Sequence, residues 1–129
     1  YTYGISAGIM FYPDSGLLAI STETDNEYVE PLIQEVYHEI DRLHQEPVSA
    51  EELTIVRNYM LGEMCRSYES PFSLSDAWIF IATSGLDDDY FSRSLLAVNE
   101  VTPMEIQDLA QRYLCKETLK EVIAGKKLS

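Results

Sequence analysis

The chain has 129 residues, of which 46% are apolar and 24% charged, the balance of a globular protein that can bury a hydrophobic core. Its formal net charge at pH 7 is −13, from 22 acidic and 9 basic residues. Because lysine and arginine supply most of the affinity for phosphates, this charge argues against nucleic acids and anionic membranes as partners. No apolar run approaches the roughly 20 residues that a membrane-spanning helix needs.

The first 22 residues predict an antiparallel β-hairpin. Apolar side chains occupy every second position from Tyr3 to Phe11 with mostly small residues between them, an alternation that is typical of a strand. Pro13-Asp14-Ser15-Gly16 is a turn sequence, and the alternation resumes over residues 17–22. Since the chain opens within the first strand, we expect at least one more strand upstream and a domain that is truncated at its N-terminus.

Helical spacing of apolar residues and capping sequences predict five helices in the middle of the chain. Their predicted starts are Asp25 or Asn26, the capping box Ser49-Ala50-Glu51-Glu52, Ser70-Pro71, the acidic run Asp87-Asp88-Asp89, and Thr102-Pro103-Met104-Glu105. The third helix is apolar nearly all round and is closed by Gly85, so we expect it to be largely buried.

Residues 119–124 predict a short final strand, which gives the order strand, strand, several helices, strand. This order is typical of the α+β class. We therefore expect an antiparallel sheet packed against a layer of several helices, in one domain that covers residues 1–129.

Two cysteines and two histidines are the obvious candidates for chemistry. Cys65 and Cys115 lack the spacing of a metal site and are too few for a disulfide framework, so we expect buried free thiols. His38 and His44 lie six residues apart, which places their side chains about 120° apart around a helix. Zinc helices carry their two histidines four residues apart, so we predict that both are solvent-exposed helix residues and not metal ligands.

Four segments, taken in register, resemble the C-terminal domain of the insulinase, pitrilysin and mitochondrial-processing-peptidase family of zinc metallopeptidases. They are Tyr1-Thr2-Tyr3-Gly4-Ile5-Ser6-Ala7, Pro47-Val48-Ser49-Ala50-Glu51-Glu52-Leu53, Val101-Thr102-Pro103-Met104-Glu105-Ile106 and Val122-Ile123-Ala124-Gly125. The resemblance implies one half-domain of the processing-peptidase-like metallohydrolase fold. In that family two halves close around a peptide, and a His-x-x-Glu-His helix in the N-terminal domain of one half holds the zinc.

The resemblance implies one candidate catalytic residue, Tyr3. In the family, the half opposite the zinc supplies an arginine and a tyrosine, in an Arg-Glu-x-x-Gly-x-x-Tyr-like segment, that contact substrate and stabilise the reacting carbonyl. Tyr3 stands at the tyrosine position, whereas the arginine would precede Tyr1. The residues alone favour a strand aromatic that packs in the core, so both interpretations of Tyr3 stay open.

No segment of the chain matches the zinc helix, so the resemblance implies no cofactor here and a zinc ion in an upstream or partner domain. It implies a domain that lines the chamber and helps to hold peptide substrate, is inactive alone, and works with a zinc-bearing domain or subunit in a homo- or heterodimer. The alternatives are a degenerate scaffold subunit of the same family and an unrelated α+β binding module. A cytoplasmic and a periplasmic location both stay open.

Overall fold

The computed structural model describes residues 2, 4–12 and 14–126. Its elements are β1 (Ile5–Tyr12), β2 (Ser15–Thr22), a 3-10 turn (Asn26–Tyr28), α1 (Val29–Gln45), α2 (Ala50–Arg66), α3 (Pro71–Ser84), α4 (Tyr90–Glu100), α5 (Pro103–Tyr113) and a second 3-10 turn (Lys116–Thr118). The fold class is α+β, as predicted. None of the described helices combines the length and apolarity that crossing a membrane requires.

Two compact units make up the described chain. The hairpin unit comprises the described residues up to Arg42 together with those from Tyr113 onward, and the helical unit comprises Leu43–Arg112. The prediction of one domain over residues 1–129 stays a prediction.

In the hairpin unit, β1 and β2 pair antiparallel in a register that runs from Ile5 opposite Thr22 to Tyr12 opposite Ser15. Because side chains alternate between the faces of a strand, the pairs formed by residues 5, 7, 9 and 11 share one face, and this face is mainly apolar. The predicted hairpin is confirmed. Its apolar face is open to solvent, since all of β1 is exposed and Phe11 retains 66% of its accessible surface.

The prediction of a third strand over residues 119–124 is wrong, since this segment has no regular structure. A strand needs backbone partners on a neighbour, and the described sheet consists of β1 and β2 alone. Side chains hold the segment instead. The Tyr37 hydroxyl donates to Glu121 Oε1 at 2.7 Å, and Lys116 forms an ion pair with Asp41.

The helix starts follow the capping sequences. At α2 the Glu52 N–H donates to Ser49 Oγ at 3.1 Å, and at α3 the Ser73 N–H donates to Ser70 Oγ at 3.0 Å. Gly85 ends α3 in the left-handed conformation, with φ of 66°, which glycine adopts without strain. α1 begins later than predicted, at Val29, because the residues before it form the first 3-10 turn.

Side chains also fix both ends of α4 within the helical unit. Before its first turn, the guanidinium of Arg93 forms ion pairs with Asp87 and Asp89. At its last turn, where helical carbonyls lack intrahelical partners, Arg57 of α2 donates to Val98 O at 3.1 Å and to Val101 O at 2.5 Å. Arg57 therefore ties α2 to the C-terminal end of α4.

Burial is sparse and corrects two predictions. The buried apolar side chains among the described residues are Leu32, Ile40, Leu53, Ile81 and Ala110. α3 is therefore not largely buried, because only Ile81 is covered and Phe72 is 84% exposed. Cys65 and Cys115 form no disulfide, as predicted, but they are not buried, since Cys65 is exposed and Cys115 half-buried. An apolar helical position becomes buried only where another element covers it, and the described chain covers few of these positions.

The N-caps of α2 and α5 give the first prediction. We expect Ser49→Ala and Thr102→Ala each to lower the free energy of unfolding by about 1 kcal/mol, since each removes an acceptor for an N–H group in the first turn of a helix. Urea unfolding of the chain measures the change. Ser75→Ala, an exposed substitution inside α3, is the matched control and should leave the midpoint nearly unchanged. Unchanged midpoints for both cap variants would contradict the prediction.

The start of α5 gives a second, pH-dependent prediction. The Thr102 hydroxyl and N–H both donate to Glu105 Oε2 at 2.8 Å, and these bonds lower the pKa of Glu105 below its ordinary value of 4.5. A carboxyl whose pKa is lower in the folded state contributes stability above its unfolded pKa and loses it as the pH falls through its folded pKa.

We therefore expect Glu105→Gln to lower the urea midpoint at neutral pH and to have no effect once the pH is below the folded pKa. Urea series of both proteins between about pH 7 and about pH 3 measure the difference. A difference in midpoint that stays constant over this range would show that the charge of Glu105 has no part in the cap.

Candidate functional site

The open end of the hairpin is the part of the described structure that adjoins the candidate residue Tyr3. Thr2 Oγ1 lies 2.7 Å from Thr22 Oγ1 and donates to Glu23 O at 2.7 Å, while the Thr22 hydroxyl donates to Gly4 O at 2.9 Å. The residues on both sides of position 3 are thus hydrogen-bonded to β2 and the residue that follows it. Tyr3 itself lies outside the described residues, and its role stays a prediction.

A hollow of about 420 Å³ lies at the same end of the hairpin. It is lined by Gly4, Ser6, Ser21, Thr22 and Glu23. Its polar groups are hydroxyls, backbone carbonyls and one carboxylate. The hydroxyls can donate hydrogen bonds to a peptide backbone, and all three kinds of group can accept them from it. The lining residues include no histidine or cysteine, so they offer no nucleophile with an adjacent base and no zinc site of the usual ligand types.

A second group with potential chemistry lies on the exposed surface of α1. Ligand atoms of Glu35, His38 and Glu39 all lie within 4.8 Å of one another. The spacing Glu-x-x-His-Glu is that of His-x-x-Glu-His with acid and imidazole exchanged. The comparison of His38 with His44 alone missed this trio, although the i, i+3, i+4 spacing from Glu35 predicts it.

The contacts of the trio favour a solvated helix face over a metal centre. Glu39 has both carboxylate oxygens on Arg42 Nη1, at 2.9 and 3.0 Å, so its charge is compensated. His38 Nδ1 lies 3.9 Å from Glu35 Oε1, and all three residues of the trio are exposed. The prediction that His38 faces solvent is confirmed.

His44 has a structural position in the helical unit, which corrects its predicted solvent exposure. The side chain is half-buried, with Nε2 at 3.0 Å from Ala110 O on α5. Its own carbonyl accepts from the side-chain amides of Gln107 at 2.9 Å and Gln111 at 2.8 Å. A carbonyl in the last turn of α1 lacks an intrahelical partner, and α5 supplies one. His44 is therefore part of a helix-end contact.

Comparison with known families identifies the first part of the chain. Residues 1–60 match the family model described as Peptidase M16 inactive domain. The matched stretch is just under half of the chain and takes in β1, β2, α1 and the first turns of α2. No curated protein matches the chain.

The fold is α+β, and this class of domain is the one that the resemblance implied. The match confirms the resemblance over the stretch that it covers, since residues 1–60 are similar to the inactive domain of the M16 peptidases. The match includes position 3 but assigns no role to its side chain.

The α1 trio gives the third prediction. We expect the chain to retain no stoichiometric zinc after dialysis. The Glu39 carboxylate is already paired with Arg42, and no described cysteine lies with the trio as a further ligand. Elemental analysis is the measurement. About one zinc per chain that disappears in the double variant His38→Ala/His44→Ala would contradict it, and Glu35→Gln would then show whether the trio is the site.

Proposed function

We propose that this chain is part of the zinc-free half of an M16-type metallopeptidase, where it lines the chamber and helps to hold the peptide substrate. The match of residues 1–60 to an inactive M16 domain carries the proposal. Hydrolysis then depends on a zinc-bearing domain or subunit, because the sequence has no His-x-x-Glu-His segment.

The exposed surface supports a function that requires a large partner. Large apolar side chains of the hairpin and of α3 are exposed, for example Phe11 at 66% and Phe72 at 84% of their accessible surface. Contiguous exposed apolar surface is typical of an interaction site. A zinc-bearing domain or subunit is the partner that the proposal assigns.

The open end of the hairpin supports the substrate-holding part of the proposal. The hollow there is lined by Ser6 and Ser21, whose hydroxyls suit the main chain of an extended peptide. The segment on either side of position 3 is fixed to β2 by the hydroxyls of Thr2 and Thr22. In the proposed mechanism the phenol of Tyr3 donates to the oxyanion that develops on the scissile carbonyl, a role that requires a fixed donor.

The fourth prediction tests this role in the full-length protein assembled with its zinc-bearing half. Tyr3→Phe removes one donor and keeps the ring, so we expect kcat and kcat/KM to fall together by about 100- to 1,000-fold while stability stays the same. Steady-state kinetics on a fluorogenic peptide measure both constants.

Tyr12→Phe is the matched control, because it makes the same change on an exposed tyrosine at the opposite end of β1. It should leave both constants unchanged. If kcat and KM are unaltered in the Tyr3→Phe enzyme, the alternative interpretation is favoured, in which Tyr3 is a strand aromatic that packs in the core. A raised KM at constant kcat would show that Tyr3 binds substrate without stabilising the transition state.

A further inference from the structure

Two threonine hydroxyls bridge the two sides of the hairpin at its open end, and we name these side chains the threonine pair. Thr2 Oγ1 and Thr22 Oγ1 lie 2.7 Å apart. Thr2 Oγ1 is also 2.7 Å from Glu23 O and 2.8 Å from Gly4 O, and Thr22 Oγ1 is 2.9 Å from Gly4 O. The Gly4 N–H donates to Thr2 Oγ1 at 3.1 Å.

The number of hydroxyl hydrogens shows what Thr22 contributes. Each hydroxyl of the threonine pair donates one hydrogen bond and can accept two. The acceptors within reach of the Thr22 hydroxyl are Gly4 O and Thr2 Oγ1. Both belong to residues that flank position 3. Whichever of them accepts the hydrogen, Thr22 therefore links β2 to a neighbour of position 3.

The threonine pair acts where the backbone ladder has ended. The described register of the hairpin ends with Ile5 opposite Thr22, and both Thr2 and Gly4 precede this pair. Hydroxyls of the threonine pair attach these two residues to β2 and to Glu23, about 20 positions further along the chain.

Most other hydroxyls of the described chain serve local structure. Thr54 and Thr83 each donate to the carbonyl four residues earlier in the same helix, at 2.7 Å. Ser6 Oγ also reaches across the hairpin, but its distance to Ser21 O is 3.4 Å. The short contacts of the threonine pair are thus distinct from these in joining two distant segments.

A fixed backbone on both sides of position 3 matters for the chemistry proposed above. A hydrogen-bond donor stabilises an oxyanion only when it is held where the charge develops, and a small misplacement of a reacting group is costly. Threonine suits such a task, because its branched side chain has few rotamers and loses little freedom when its hydroxyl is bound.

We propose that Thr22 is a positioning residue for Tyr3, and that it acts through the backbone of Thr2 and Gly4. Thr22 does not itself contact the reacting atoms, since its hydroxyl is engaged within the hairpin. The inference rests on the proposed function, because it requires that Tyr3 stabilises the transition state.

The test uses the full-length protein assembled with its zinc-bearing half and a fluorogenic peptide. Thr22→Val replaces the hydroxyl by a methyl group and keeps the branched shape. Both threonines are exposed, so water competes for their hydrogen bonds. We therefore expect kcat to fall only about five- to tenfold, the range that one neutral hydrogen bond supports, while KM stays the same. Thr22→Ser keeps the hydroxyl and should restore kcat.

A double-mutant cycle separates positioning from a general structural role. In a Tyr3→Phe enzyme the positioned donor is already absent, so Thr22→Val should cause no further loss of kcat. Thr54→Val is the matched control, because it removes a hydroxyl that binds a backbone carbonyl within α2, and it should leave kcat and KM unchanged. Thr2→Val removes the same contact from the other side of the hairpin and should reproduce the effect of Thr22→Val.

The outcomes distinguish this inference from the proposed function. If Tyr3→Phe lowers kcat but Thr22→Val does not, the positioning role is overturned and the role of Tyr3 stands. If Tyr3→Phe has no effect, both are overturned. Equal losses from Thr22→Val in the two backgrounds, a raised KM at constant kcat, or no rescue by Thr22→Ser would each overturn the positioning role.

Discussion

The need to cover apolar surface is the constraint on which the rest of this structure depends. Five apolar side chains are buried among the described residues, whereas whole faces of the hairpin and of α3 meet solvent. A domain of this length ordinarily derives most of its stability from one hydrophobic core. Order in the described chain comes to a large extent from backbone pairing and from side chains at helix ends, such as Ser49, Arg57 and Thr102. These contacts fix local geometry, and no element of the described chain covers the exposed faces.

The same constraint explains which predictions from the sequence were confirmed. The hairpin and the starts of α2, α3 and α5 depend on residues within four positions of each other or across one turn, and such signals are complete in the sequence. Burial of α3 and of Cys65 and pairing of residues 119–124 depend on a distant element that covers or pairs with them. The apolar pattern predicts that one face of a helix or strand is buried, but it does not show which distant element buries that face. The distant contacts of His44 on α5 were missed for the same reason.

The candidate site divides along similar lines. The family resemblance directed attention to Tyr3, because the strand pattern alone predicts only a strand aromatic at this position. The exposed trio on α1 could be predicted from the sequence, because the spacing of Glu35, His38 and Glu39 places them on one face of a helix. The contact between α2 and the end of α4 could not, since it depends on Arg57, which donates to the carbonyls of Val98 and Val101 more than 40 residues further along the chain.

A charge of −13 also has to be distributed over the surface without excessive repulsion. Part of this charge lies where it stabilises the fold. Glu105 completes a cap, Asp87 and Asp89 pair with Arg93 before α4, and Asp41 pairs with Lys116. Other carboxylates have no such role, since Glu51, Asp76 and Glu100 are exposed and form no ion pair within the described residues. The position of Glu100 is also unfavourable, because it lies in the last turn of α4, where the helix end carries a partial negative charge. Solvation by water, and not a contact of the fold, therefore stabilises this part of the charge.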